Sequence, residues 1–425
     1  MAARSLNCQP RRRAVTPESR EAEEKVVRDL LWQNIRLEPA ALRVIDTAAF
    51  QRLRYVRQLG HAFLVYPGAT HSRFEHALGT YHLARRAIAA LRARATVEIG
   101  EADALLIRLA ALLHDIGHYP FSHALEESGF LSHEALGERY LARADLAGLL
   151  NAGAGADPAA VGAVIRGTSA HPLAGLVSGS IDLDKIDYLK RDAVMCGVPY
   201  GEIDVERLLA CLVVIDLDGR RTLGVMEKGL SALESLLFAK YQMYRNVYWH
   251  HAVRSATAMF KRLVRDAVAR GTVEPATVAE ATDDALMHDL AARDTTGLAG
   301  ALRTRRLYKR ALELVPSELD GEVPSWVGQG GERLAAAEDG LARRAGLAAG
   351  ELLIDFPYKT AMLGLDVAVA RRDGTVARVT ERGWPGRMDL PKMADELVES
   401  ARRLRVFVRR PATIAAADVV AALRA

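Results

Sequence analysis

The stretch Leu112 to His123, "LLHDIGHYPFSH", constrains this chain more than any other. It closes a long apolar run and then sets His114, Asp115, His118 and His123 within ten residues. An ionisable side chain buried without a partner is expensive, so a fold that buries this helix end must bring partners to it. The upstream run "EADALLIRLAALLHD" reads as a nearly wholly apolar helix, with Gly117 a fitting stop just after it. His114 and Asp115 lie about 100° apart around such a helix and can lean toward one point at its end. Imidazole and carboxylate together suit a divalent cation such as Mn, Fe, Zn or Mg. Two ligands do not make a site. The chain also offers His76 on an upstream helix and Asp184 or Asp187 downstream, each among apolar helical residues. A single histidine is ordinarily just a hydrogen-bonded residue. The set His76, His114, Asp115 and Asp184 would need four unrelated ionisable groups on apolar helix faces with no shared reason.

The surrounding chain is mostly α. From Val26 to about Arg270 the pattern is helical with short interruptions. "SRFEHALGTYHLARRAIAALRA" carries an apolar stripe, "DLDKIDYLKRDAV" sets Ile186 and Leu189 among charges, and an aromatic-rich helix runs from Gly229 to Val264. "NAGAGADPAA" at 151–160 reads as a loop, and "DGRR" inside "CLVVIDLDGRRTLGV" as a hairpin turn. Beyond about residue 300, "ELLIDFPYKTAML", "DVAVARRDGTVARVTE" and "RLRVFVRRP" read as strands, with an Ala-rich helix near 331–346. The expected organisation is a mobile basic N-terminal tail over 1–23, a large helical domain over 24–300, and a smaller C-terminal α+β region over 301–425.

A net charge of +4 over 425 residues is small and does not argue for nucleic acid as the main partner. Cys8, Cys196 and Cys211 are far apart and form no CxxC spacing, so neither a disulfide framework nor a thiolate zinc site is expected. "MAARSLNCQPRRRAV" is followed by no apolar h-region, and no segment approaches eighteen apolar residues. A cytoplasmic protein with His and carboxylate metal ligands and no membrane partner is the expectation.

Taken in order, "IDTAAFQRLRYVRQLG", "HSRFEHALG", "LLHDIGHYPFSH" and "SIDLDKIDYLKRD" resemble the H…HD…D signature of the HD-domain metal phosphohydrolases. More narrowly, they are similar to the deoxynucleoside triphosphate triphosphohydrolases, over roughly residues 24–270. The resemblance implies an HD-type helical core with His76, His114, Asp115 and Asp184 as metal ligands. It implies hydrolysis of a dNTP at the α-phosphorus, releasing deoxynucleoside and intact triphosphate. His123 matches the family's catalytic histidine, with Glu126 to orient it and with His133 and His118 beside it. Arg73, Lys185 and Lys240 match phosphate contacts, although Lys240 stands where the family more often has arginine. Gln58, Tyr188 and Asp192 resemble the sugar pocket, and Tyr248 the aromatic residue that crowds the 2′ position. Asp46, Gln51 and Arg54 match a guanine-reading activator site, which implies a guanine-nucleotide activator and an active homo-oligomer, a dimer or tetramer.

Two other readings compete. One is an HD phosphodiesterase or phosphomonoesterase acting on other nucleotides, which would have little use for the cations Arg73, Lys185 and Lys240. The other is a nucleotide- or nucleic-acid-binding regulator on the same scaffold, using basic runs such as "RTRRLYKR". That regulator would be expected to have eroded metal ligands, and all four ligand types are intact; nucleic acid is then a secondary partner.

Overall fold

The fold begins with a β-hairpin that the helical period of 26–270 does not signal. β1 (Lys25–Asp29) pairs antiparallel with β2 (Gln33–Leu37). Asp29 Oδ1 closes the turn by accepting from the amides of Leu31 and Trp32 at 2.9 and 2.7 Å. Only β2 buries an alternating pair, Ile35 and Leu37, so the period-2 signal is too short to read. The computed structural model describes residues 24–94, 97–319, 323–357, 366–380 and 389–424. The tail assigned to 1–23, with Cys8, lies outside the described residues, as does the second half of "ELLIDFPYKTAML".

Four helices carry most of the candidate site side chains. α1 (Arg73–Arg94) begins at a Ser-x-x-Glu start, where Glu75 Oε2 accepts from the Ser72 amide at 2.5 Å. α2 (Glu101–Leu113) delivers His114 and Asp115 just past its last turn. Next comes α3 (His133–Leu141), capped by the Ser132 hydroxyl. α4 (Leu183–Cys196) is capped by Asp182, which accepts from the Lys185 amide, and it stops at Gly197 with φ 68°. α1 packs against both α2 and α4. Leu83, Ala84 and Leu91 on α1 and Leu109 and Leu113 on α2 are fully buried between them. The segment read as a loop at 151–160 is partly wound. Leu149–Ala154 forms a π-helical turn, and Asp157 caps a short helix over Pro158–Ile165.

β3 (Leu212–Leu217) and β4 (Arg220–Met226) form the expected hairpin. Its turn residues Asp218 and Gly219 both sit at positive φ, 53° and 74°, as a tight two-residue turn requires. The aromatic stretch after it is not one helix. α5 (Leu230–Met243) passes into a π-helical turn, Tyr244–Tyr248, and α6 (His251–Ala269) restarts at a cap formed by His250.

The C-terminal region is α+β, with β5 (Lys309–Leu314), α7 (Glu332–Arg344), β6 (Leu352–Asp355), β7 (Ala368–Ala370), β8 (Val376–Arg378), α8 (Leu390–Ala401), β9 (Leu404–Val408) and α9 (Ala416–Arg424). β9 is the central strand of an antiparallel β5-β9-β6 sheet. β7 instead returns to the helical body and extends the β3–β4 hairpin as a parallel neighbour of β4, with Gly224 opposite Ala368. A Cβ at Gly224 would lie 2.5 Å from the Ala368 carbonyl oxygen, so the glycine permits this pairing. Val367, Val369 and Leu390 belong to the same apolar core as α1, α2 and α4. One sheet therefore spans residue 300.

Candidate metal and catalytic centre

Four side chains from three helices meet at the end of α2. His76 Nε2 lies 3.1 Å from His114 Nε2 and 2.9 Å from Asp184 Oδ1, and His114 Nε2 is 3.5 Å from that same oxygen. Asp115 closes the group, with oxygens 3.6 Å from His76 Nε2 and 3.4 Å from His114 Nε2. Each histidine is turned by its other nitrogen. His76 Nδ1 faces Asp187 Oδ2 at 2.8 Å, and His114 Nδ1 faces the Ala111 carbonyl at 2.9 Å. With Nδ1 protonated toward these acceptors, both Nε2 lone pairs point into the cluster, which is the tautomer a metal-binding imidazole needs. Burial opposes a charge on His76, but Asp184 and Asp187 override it and pull its pKa up to about 10. The same negative field welcomes a divalent cation in place of that proton. The donor set of two imidazoles and two carboxylates thus fits a divalent metal.

Asp184 and Asp187, the two downstream candidates, divide the work. Three residues apart on α4, they reach His76 from the same side, one at each ring nitrogen. Asp187 is in turn held by Arg191 at 2.9 Å and by the indole N–H of Trp32 at 2.5 Å. Arg191 continues to Asp29 in the N-terminal hairpin at 2.8 Å.

Beside this quartet stands a second cluster. His118 stacks on His133 with ring centroids 3.9 Å apart, and His123 meets both rings edge-on. Glu126 Oε1 accepts from His133 Nδ1 at 2.9 Å and from His123 Nδ1 at 3.3 Å. Burial opposes the Glu126 charge, yet His123 and His133 hold its pKa well below the ordinary value. His133 is raised, with Glu126 overriding burial, whereas burial and Arg73 push His118 well below its usual range. His118 Nε2 donates to Asp115 Oδ1 at 3.1 Å and so ties the two clusters together. Gly117 permits that approach, because a Cβ there would lie 2.2 Å from the His133 carbonyl oxygen. His123 is the exposed member, with 59% of its side chain accessible and Nε2 left open by the Glu126 contact.

The remaining candidates divide into groups. Arg73 is buried and paired with Asp115 and with Ser122 Oγ, at 2.9 Å for the latter. Lys185 is paired with Asp182 and with the Gly179 carbonyl, at 3.1 Å for the latter. Lys185 shares a cleft of about 550 Å³ with His114, His133, Asp184, Arg166 and Thr168. Asp192 accepts from the Tyr248 hydroxyl at 2.7 Å and faces His71 Nε2 at 2.8 Å. The Tyr188 ring lies 6.4 Å from both His76 and Tyr248, and burial drives the phenol pKa of Tyr188 and Tyr248 well up. Lys240 is buried with Nζ 5.7 Å from the Tyr244 ring, which itself lies against Tyr248. Gln58 is buried, and its backbone N–H donates to the His71 carbonyl at 3.0 Å. Gln51 bonds Arg54 Nε at 2.7 Å and the Ile45 carbonyl at 2.9 Å, while Asp46 caps the short helix before them. The Arg54 guanidinium lies over the Phe74 ring at 3.5 Å.

Asp283 joins the site from a part of the chain that carries no motif. Its carboxylate accepts from the amides of Phe121 at 2.9 Å and Arg57 at 3.1 Å, and it pairs with the Arg57 guanidinium at 3.2 Å. Phe121 and Ser122 both sit at positive φ, 57° and 60°, directly before His123. Nothing near Asp283 in sequence signals this role, because its partners lie more than 150 residues away.

Residues 73–191 match the HD domain, and residues 203–382 match the HD associated region. The chain belongs to the HD-domain family. An uncharacterized protein from Methanocaldococcus jannaschii is 36% identical over 304 residues, covering 71% of this chain and 62% of that protein. The deoxynucleoside triphosphate triphosphohydrolase SAMHD1 of Homo sapiens is 47% identical over 103 residues, which is 24% of this chain and 16% of that enzyme. This HD-domain chain thus matches less than two thirds of the length of either relative. Among solved structures, a hypothetical protein from Aquifex aeolicus superposes with a TM-score of 0.70 at 27% identity, covering 91% of this chain and 97% of that one. No helix among the described residues is long and apolar enough to cross a membrane.

Proposed function

We propose that this HD phosphohydrolase cleaves deoxynucleoside triphosphates at the α-phosphorus to give deoxynucleoside and inorganic triphosphate. The observation that carries the reading is the junction of the two clusters. A cation-binding quartet shares Asp115 with a histidine set that ends in a solvent-accessible imidazole backed by Glu126. His76, His114, Asp115 and Asp184 would hold a divalent cation, which would supply positive charge to a phosphate oxygen. Water attacks the α-phosphorus and gives up its proton to solvent as the P–O5′ bond breaks, and His123, oriented through Nδ1 by Glu126, protonates the leaving 5′ oxygen through Nε2. His133 keeps Glu126 ionised, and neutral His118 fixes Asp115. Lys185 and Arg73 exchange their carboxylate partners for the polyphosphate. Tyr188, Asp192, Tyr248 and Gln58 hold the deoxyribose, and Lys240 answers the distal phosphate. Asp46, Gln51 and Arg54 read a guanine nucleotide that promotes an active homo-oligomer.

The test is product analysis. Purified protein is incubated with each dNTP and Mn²⁺ or Mg²⁺, with and without GTP, and products are separated by ion exchange. Deoxynucleoside plus triphosphate, lost by at least about a thousandfold in Asp115→Ala, is the expected result. Orthophosphate, pyrophosphate or no turnover in every mixture rejects the dNTP reading and turns attention to monophosphates and phosphodiesters. Turnover indifferent to GTP or dGTP rejects the activator.

A further inference from the structure

Glu126 has an immediate neighbour that faces the other way. Glu127 sits in the same single turn, Glu126–Ser128, and its carboxylate is taken up from the far side. Arg254 on α6 grips both of its oxygens, at 3.1 and 2.9 Å, and Lys261 adds a contact of 3.2 Å. The remaining edge of Arg254 is bidentate to Asp355, with Nε–Oδ2 at 2.9 Å and Nη2–Oδ1 at 2.5 Å. Asp355 is 1% exposed and is the last residue of β6, in register with Arg405 of the central strand β9. The C-terminal region touches the same turn directly. A Cβ at Gly330 would lie 3.2 Å from Ser128 Cα and 3.4 Å from the Glu127 carbonyl oxygen.

We infer that Asp355, acting through Arg254 and Glu127, is a positioning residue for the Glu126–His123–His133 centre. On this inference, which rests on the reading proposed above, the C-terminal sheet braces the catalytic turn. A one-turn 3₁₀ segment has little internal stability, so its orientation comes from what holds it. Glu126 faces two imidazoles, and its neighbour Glu127 is held by the Arg254 fork, with Lys261 adding a single contact. A planar guanidinium bridging two buried carboxylates fixes distance and angle together. Loss of either carboxylate frees the turn to rotate, and Glu126 then leaves His123 Nδ1. A shift of about 1 Å there is enough to cost a large factor in rate.

The test compares Asp355→Asn, Glu127→Gln and the double variant in the full-length protein. The control is Asp339→Asn, which breaks a comparable Arg262 ion pair at 3.0 Å elsewhere in the C-terminal region. Two readouts are taken: hydrogen exchange of the 122–130 segment, and kcat and KM at saturating metal with the dNTP turned over by the parent protein. Each single variant is expected to speed exchange of 122–130. Each should also lower kcat by about ten- to a hundredfold with KM within about twofold, and the double variant should be no slower than either single. Asp339→Asn loses thermal stability and keeps its kcat. Arg254→Lys, which retains charge but cannot bridge two carboxylates, replaces Asp355→Asn if that variant does not fold. An unchanged 122–130 exchange, or a kcat within twofold of the parent in Asp355→Asn, overturns the brace. If the parent turns over no dNTP, the functional reading fails while the exchange measurement still decides the brace.

Discussion

His76 is fully buried and is approached by a carboxylate at each ring nitrogen, an arrangement that depends on a residue without a side chain. A Cβ on Gly79 would lie 1.9 Å from Asp187 Oδ1 and 2.6 Å from Arg191 Nη2. Gly79→Ala therefore forces Asp187 off His76. The expected outcome is a loss of about 1–3 kcal/mol in unfolding free energy together with weaker metal retention, read by denaturant titration and by metal analysis after dialysis. Retention equal to the parent would show that Asp187 does not orient His76. The quartet His76, His114, Asp115 and Asp184 drew attention in the sequence because each is an ionisable group set on or at the end of an apolar helix. Asp187 was legible as an alternative ligand, and its supporting role follows only from the direction in which α4 presents it. His71 carried no such signal; only the fold brings it to Asp192.

At the scale of elements, the segment before His123 stores backbone strain. Two successive non-glycine residues in the left-handed region cost on the order of 1–3 kcal/mol each and persist only when their surroundings hold them. Asp283 does much of the holding, together with the Ser122 hydroxyl, which donates to the Gln58 carbonyl at 2.7 Å. Asp283→Ala is expected to destabilise the protein by about 2–4 kcal/mol and to lower kcat at least tenfold. Thermal unfolding and single-turnover kinetics check the two parts, and a full-rate variant would free His123 from any dependence on this bend. Helices with a clear apolar stripe and a cap, such as α1 and α4, were readable from sequence. The N-terminal hairpin was not, because one face of two short strands gives too few alternations. The break at Tyr244–Tyr248 was hidden too, since its aromatic residues continue a helical pattern while tertiary packing imposes the wider turn.

At the scale of the whole molecule, buried charge joins the helical body to the C-terminal sheet. Burial alone would raise the Glu127 pKa, but Arg254 and Lys261 override it and hold it at about 2, against an ordinary value of 4.5. The ionised form therefore stabilises the fold at every pH above the ordinary value, and this contribution is lost as pH falls from about 4.5 to about 2. Glu127→Gln should lower stability at pH 7 by at most roughly 3 kcal/mol and flatten the acid limb of the stability profile. Urea unfolding at stepped pH measures both, and an unchanged acid limb would contradict the assignment. The C-terminal strands were readable as strands, yet their partners were not. Nothing in "DVAVARRDGTVARVTE" announces that its first strand pairs with β4 at Gly224 as well as with β8, its sequence neighbour.

The central position of β9 also bears on how the chain is made. β5 and β6 are complete by residue 355, yet among the described residues each pairs only with β9, at 404–408. On the ribosome, both strands must wait about fifty residues or more for their shared neighbour, with unpaired edges open to other chains in the meantime. A product stalled or cut before Leu404 would carry the whole His76–His114–Asp115–Asp184 quartet on a body prone to self-association. Such a species would be removed by proteolysis or aggregation before its chemistry mattered.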